Sequence, residues 1–178
     1  MKFSKILLLL VVVAVSIVSC KKDDDATVAF VLSNANIAGT HNLNYFVGST
    51  LVTGVLPGGS TPVTITYNTT ADTFQAQFVF TEAGTYTLSG EFRITTTSSQ
   101  QGTTPQSEII VLNETGTYQV NDAAQTIVLI EQGGSLGESD VNTVTLFNET
   151  ELHLTFGETY TEDGDDYVRT QESRLTRQ

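Results

Sequence analysis

From residue 73 to residue 94, apolar side chains recur at every second position, and that alternation confines the chain to extended structure. Phe74, Ala76, Phe78 and Phe80 fall on one face of a strand, and Thr73, Gln75 and Gln77 fall on the other. Glu82-Ala83-Gly84 supplies a turn. The return run then places Tyr86, Leu88, Gly90, Phe92 and Ile94 inward and Thr85, Thr87, Ser89, Glu91 and Arg93 outward. The two runs therefore predict a β-hairpin with one dry face and one wet face.

The same reading predicts strands over residues 41–52, 62–67, 107–112, 116–120, 125–131, 142–147, 150–160 and 165–175. Gly, Asn, Asp and Ser punctuate the gaps, with short turns at Asn121-Asp122 and Asn148-Glu149 and a mobile polar loop over 95–105. Residues 127–130 are apolar on both faces, as expected of a strand covered by another element. Residues 26–38 fit either a first strand or a short helix plugging one end. No segment carries a helical stripe, so the fold class is all-β and antiparallel. Alternation is compatible with an up-and-down barrel of about eight strands or with a two-sheet β-sandwich, because both bury one face of each strand.

The N-terminal residues have a different character. Lys2 and Lys5 precede an apolar run over 6–18, followed by the small Ser19. Thirteen residues fall short of the ~20 that a helix needs to cross the hydrocarbon core, so the run reads as a cleavable export signal spanning 1–19. Ile17-Val18-Ser19-Cys20 resembles the bacterial lipobox, which implies cleavage before Cys20 and lipidation of that residue, the only cysteine in the chain. Lys21-Lys22-Asp23-Asp24-Asp25 is a charge run that reads as a solvated tether over residues 20–25. It also resembles the signal that carries Bacteroidetes lipoproteins to the outer face of the outer membrane, which implies surface display rather than retention facing the periplasm. Lipid chains contribute roughly 0.8 kcal/mol per buried methylene, and several together anchor durably.

Residues 26–178 are the expected single globular domain, within the usual size range. Their only basic residues are Arg93, Arg169, Arg174 and Arg177; three of the chain's 20 acidic residues lie in the tether, leaving 17 in the body and a net charge of −13. Such a field repels phosphate backbones and anionic headgroups, which excludes nucleic acid as a partner and leaves membrane attachment to the lipid.

Groups that could carry chemistry are few. His153 alternates with Leu152 and Leu154 and is expected to face solvent as a bystander. Gly133-Gly134-Ser135-Leu136-Gly137 matches the G-x-S-x-G nucleophile elbow, but no helix follows it, and a glycine-serine loop between strands accounts for the letters. Glu158, Glu162, Asp163, Asp165 and Asp166 crowd around Gly164, where a solvated hairpin turn is favoured over weak calcium binding. The sequons at Asn68, Asn113 and Asn148 stand at apparent turns. No catalytic residue, metal ligand or cofactor site is predicted, and no enzyme activity is expected.

Residues 80–88 (FTEAGTYTL) and 112–120 (LNETGTYQV) resemble the strand-turn-G-T-Y-strand phrases of the small lipocalin-like domains on Bacteroidetes lipoproteins, and residues 144–154 (VTLFNETELHL) are similar to their late hairpin. With Ile37-Ala38-Gly39-Thr40 near the start, the resemblance covers most of residues 35–178. It implies a lipocalin-like barrel that binds a small apolar ligand, with Phe74, Phe78, Phe80, Tyr86 and Phe92 either lining a pocket or filling it. A filled core would instead imply a structural or protein-interaction lipoprotein of the cell envelope. The family's opening motif carries tryptophan where this chain has His41, and the sequence contains no tryptophan. The side chain that closes the barrel floor in that family is thus replaced, and tight closure does not follow from the resemblance.

Overall fold

The structure, a computed structural model, describes residues 30–55, 58–132 and 139–178. The export signal, Cys20, the tether and the glycine-serine loop at 133–137 lie outside the described residues. A single helical turn, α1 (Asn34–Ile37), precedes eight strands: β1 (Gly39–Val55), β2 (Pro62–Phe80), β3 (Thr85–Ser98), β4 (Gln106–Asn121), β5 (Thr126–Glu131), β6 (Ser139–Phe147), β7 (Glu151–Glu162) and β8 (Asp165–Arg177). Each strand pairs antiparallel with the next, and β8 returns to β1, closing the sheet into an up-and-down barrel. The eight described strands, the helical turn and the buried core lie within residues 30–178.

The predicted hairpin forms in its expected register, with Phe80 opposite Tyr86 and Phe78 opposite Leu88. Gly84, at φ 81°, completes the turn in a conformation that a side chain would strain. The two Gly-Thr-Tyr phrases prove to be partners. Thr85 lies opposite Thr117 and Tyr86 opposite Gly116, while the Tyr118 amide donates to the Gly84 carbonyl at 2.7 Å. Each glycine therefore faces the other phrase's tyrosine. A Cβ on Gly116 would run into the Ile130 carbonyl and lie 2.7 Å from Tyr86 Cε1, so the missing side chain makes room for the ring.

Several strands run longer than their sequence signals. Residues 62–80 form one strand, bent at a bulge between Asp72 and Gln75 where Thr73 takes φ 54°. Likewise β4 runs unbroken through Asn113-Glu114-Thr115, because β3 pairs with it at every residue there. Asn68 and Asn113 accordingly sit within strands, and of the three sequons only Asn148 is at a turn. Thr95 and Thr96 pair with Ser107 and Gln106, which shortens the expected polar loop to 99–105; Thr95 Oγ1 and Ser107 Oγ share a 2.8 Å hydrogen bond. Paired β-branched threonines favour the ladder over a loop. Residues 127–130 are not sandwiched as expected. Ile127 is fully buried, but Ile130 points outward and is exposed, with no described element over it.

Turns at one end of the barrel follow the sequence closely. The Asn148 side chain accepts from the amides of Thr150 and Glu151, both at 2.9 Å, which makes the turn before β7 an Asx-type turn. At the other end, Asp163 and Gly164 take φ 52° and 89° between paired Glu162 and Asp165, a two-residue hairpin of the kind that demands positive φ. The nearby carboxylates spread along two strands, and Asp166 Oδ1 accepts from Thr161 Oγ1 at 2.8 Å. Among the described residues, no group of three His, Cys, Asp or Glu side chains converges to hold a metal ion.

Candidate functional site: the barrel interior

The floor of the barrel is built by the segment before β1. Ser33 caps α1 by accepting from the Asn36 amide at 3.2 Å, and the turn presents Ile37 to the core, where it is fully buried beside Leu32. The Leu32 amide donates to Asp122 Oδ1 at 3.1 Å, and the Phe30 ring packs 4.7 Å from Phe147. Tyr118 donates its hydroxyl to the Thr81 carbonyl at 2.7 Å. The short helical plug, rather than a first strand, is thus the form that the 26–38 segment takes over its described part.

His41 stands at the centre of this floor, 1% exposed. Its Nε2 lies 2.8 Å from the Ile37 carbonyl and must donate to it, which assigns the neutral tautomer with Nδ1 unprotonated. Its ring meets Phe80 edge-on at 5.7 Å, and Phe80 meets Tyr118 in the same way at 5.1 Å. Arg177, paired across the β1–β8 seam with His41, donates from Nη2 to the Asn36 carbonyl. His41 Nδ1 and Arg177 Nε are both buried without a hydrogen bond to a described atom, one an acceptor and the other a donor. Burial, and then the Arg177 charge, hold the His41 imidazole below its ordinary range against the opposing pull of the Ile37 hydrogen bond. The described residues of this end pack into a floor with His41 among them.

Above the floor the barrel is hollow. A cavity of about 250 Å³ lies among Phe46, Phe78, Phe92, Leu112, Leu129 and Phe156, with Glu114, Glu131 and Asp140 on one side. It shares Phe46, Phe92, Leu112, Glu114 and Gln171 with a more open space of about 500 Å³ toward the mouth, where Tyr160 and Arg169 also line the wall. Arg169 is held by Glu158 at 3.3 Å and by the side-chain oxygen of Gln171, which accepts from Nε at 2.8 Å. Tyr160 and Tyr167 stack with ring centres 4.8 Å apart. Strands β5 and β6, with six and nine residues, are the shortest described in the wall.

Of the five expected aromatic residues, Phe78, Tyr86 and Phe92 line the cavity. Phe80 belongs to the floor, and Phe74 stacks on Phe92 at 6.1 Å without reaching the cavity. His153 points away from the core as expected, but its side chain is only 18% exposed, and Nε2 lies 3.9 Å from Glu151. Sequence reasoning missed Glu114, because Asn113-Glu114-Thr115 reads as a turn. Once β4 is continuous, the two-residue period carries Glu114 inward with Leu112, Gly116 and Tyr118.

Burial, followed by the negative charges of Glu131 and Asp140, raises the Glu114 carboxyl above its ordinary range. Burial and the same three carboxylates push the Tyr86 hydroxyl up to about 12. No protein-family model, curated protein or solved structure matches the chain. Its site is read from its own geometry.

His41→Phe removes the donor to a buried carbonyl and should destabilise the barrel at pH 7 by about 1–3 kcal/mol. As pH falls from about 6.5, the unfolded chain takes a proton at His41 before the folded barrel does. Stability therefore drains away downward from about 6.5 until the lowered folded pKa is passed. Denaturant melts at pH 7 and pH 5 should show this loss in the natural chain and lack its histidine part in His41→Phe.

Proposed function

We propose that the chain is a lipid-anchored envelope protein, attached through Cys20 and displayed from the outer face of a Bacteroidetes outer membrane, whose lipocalin-like barrel binds a small apolar ligand. The observation that carries the binding reading is the cavity bounded by Phe46, Phe78, Phe92 and Phe156 above the floor. An eight-stranded barrel can be filled by its own side chains or hold one small molecule, and the space left here favours the second. The barrel's alternation also favours a water-bathed body. Leu88, Phe92 and Tyr86 face in while Thr85, Thr87, Glu91 and Arg93 face out, whereas a membrane-spanning barrel turns its apolar band outward. Attachment is therefore assigned to the lipid.

A protein-interaction role is the competing reading. It draws on the outer face of β4, where Ile109 and Val111 are 60% and 70% exposed. Two neighbouring side chains on one strand make a small apolar patch, and surface hydrophobics of this kind are common. The cavity is the stronger pointer.

The binding reading is tested with the uncharged dye N-phenyl-1-naphthylamine and the 26–178 body. Its fluorescence should rise with saturation at one site per barrel, and Leu112→Trp, which fills the cavity, should weaken binding at least tenfold. A linear, non-saturating response in both proteins would remove the pocket from the account. Anchoring is tested separately. Cys20→Ala should leave the body folded but move it from the membrane fraction to the soluble fraction, and persistence in the membrane would require a second anchor. Neutral replacement of residues 21–25 should leave the protein lipidated but protected from protease added to intact cells.

A further inference from the structure

The cavity has two unlike walls. Glu114 on β4, Glu131 on β5 and Asp140 on β6 project inward from three neighbouring strands and line the same space. Their levels are set by the register, which places Glu131 opposite Gly116, two residues from Glu114, and Asp140 opposite Leu129. Across the barrel stand Phe46 on β1 and Phe78 on β2.

Carboxylates such as Glu114 and Glu131 are normally matched by arginine or lysine, and the body has few basic residues to supply. It contains four arginines and no lysine. Arg93 pairs with Asp72 on the outer face at 2.7 Å. Arg169 is held by Glu158, Arg174 lies on Glu172 and over the Tyr45 ring, and Arg177 is fixed in the floor. Among the described residues, none of the four reaches Glu114 or Glu131. Residues 26–29, 56–57 and 133–138 of the body contain no arginine or lysine either.

We infer that the barrel selects a cationic amphiphile: an amine with an apolar tail or ring, its ammonium group against Glu114 and Glu131 and its apolar part against Phe46 and Phe78. This inference rests on the cavity being a ligand site and adds the ligand's charge. A neutral ligand would leave Glu114 and Glu131 with no countercharge, and an anionic one would be repelled by them. An ammonium gains the charge-assisted contact and can also lie over an aromatic face. The −13 body charge raises the local concentration of cations around the mouth and disfavours fatty acids before they enter. Burial raises the Glu114 carboxyl above its ordinary range, and an ammonium beside it favours the ionised form.

Octylamine, octanol and octanoate share one chain length and differ in charge, and their binding to the 26–178 body can be measured by titration calorimetry at pH 7.0 in 0.15 M salt. The expected result is one site per barrel, with octylamine binding at least tenfold more tightly than octanol, octanoate weakest, and octanol displaced by octylamine. Glu114→Gln and Glu131→Gln should each cut the octylamine-to-octanol ratio to less than threefold. Octanol or octanoate matching octylamine would overturn the charge selection while leaving the pocket standing. Octylamine that binds without displacing octanol would place it on the acidic surface and overturn the proposal. Failure of all three ligands to bind would remove both the selection and the pocket reading on which it rests.

Discussion

The pairing of β1 with β8 turns a meander into a wall without edges, and the interior exists only because that seam holds. An open eight-stranded sheet would present two free edges and would need a second layer to cover its apolar face. Closure lets one sheet cover itself. The seam runs from His41–Arg177 at the floor to Thr53–Asp166 near the mouth, with one irregularity beside Leu43. That irregularity switches the side-chain parity of β1, so that Leu43 and Phe46, three residues apart, both line the interior.

Within the closed wall the two ends are built on different terms. At the floor, α1 and the rings of His41, Phe80 and Tyr118 leave little space, and the Tyr118 hydroxyl and His41 Nε2 find backbone carbonyls. Toward the mouth, the inward positions pass to Glu114, Gln171, Arg169 and Glu158, which cannot pack as a dry core. The cavity lies at the change from one regime to the other. Stability is concentrated at the floor, where buried leucines and isoleucines from α1 and from β1, β5, β7 and β8 meet, and the space above it is left for recognition.

Period-two alternation made the strands, the hairpin at Gly84 and the turn at Gly164 legible from the sequence. It could not separate a barrel from a sandwich, because both bury one face of every strand; the β1–β8 register is a contact between residues more than 110 apart and leaves no local mark. The strand breaks were misjudged where polar residues continue a strand, as at Asn68 and Asn113, since a wet outer face makes strand and turn compositions overlap. The acid wall was hidden for the same reason. Glu114 looks like a turn residue until β3 is seen to pair with it through Leu88. The role of His41 was only half visible. Its alternation with Leu43 on β1 is local, but the hydrogen bond to Ile37 depends on the plug folding back over it.

Closure of the wall is the claim on which the cavity, its charge and its ligand all depend. It is tested most directly by cross-strand nuclear Overhauser contacts in the isotope-labelled 26–178 body, read along the β1–β8 seam. The account predicts backbone contacts between Leu43 and Leu175, Gly48 and Gln171, and Val52 and Tyr167, at the same time as those joining β1 to β2. A β1 strand that contacts β2 alone, with β8 an open edge, would contradict the barrel and remove the interior on which every functional statement stands.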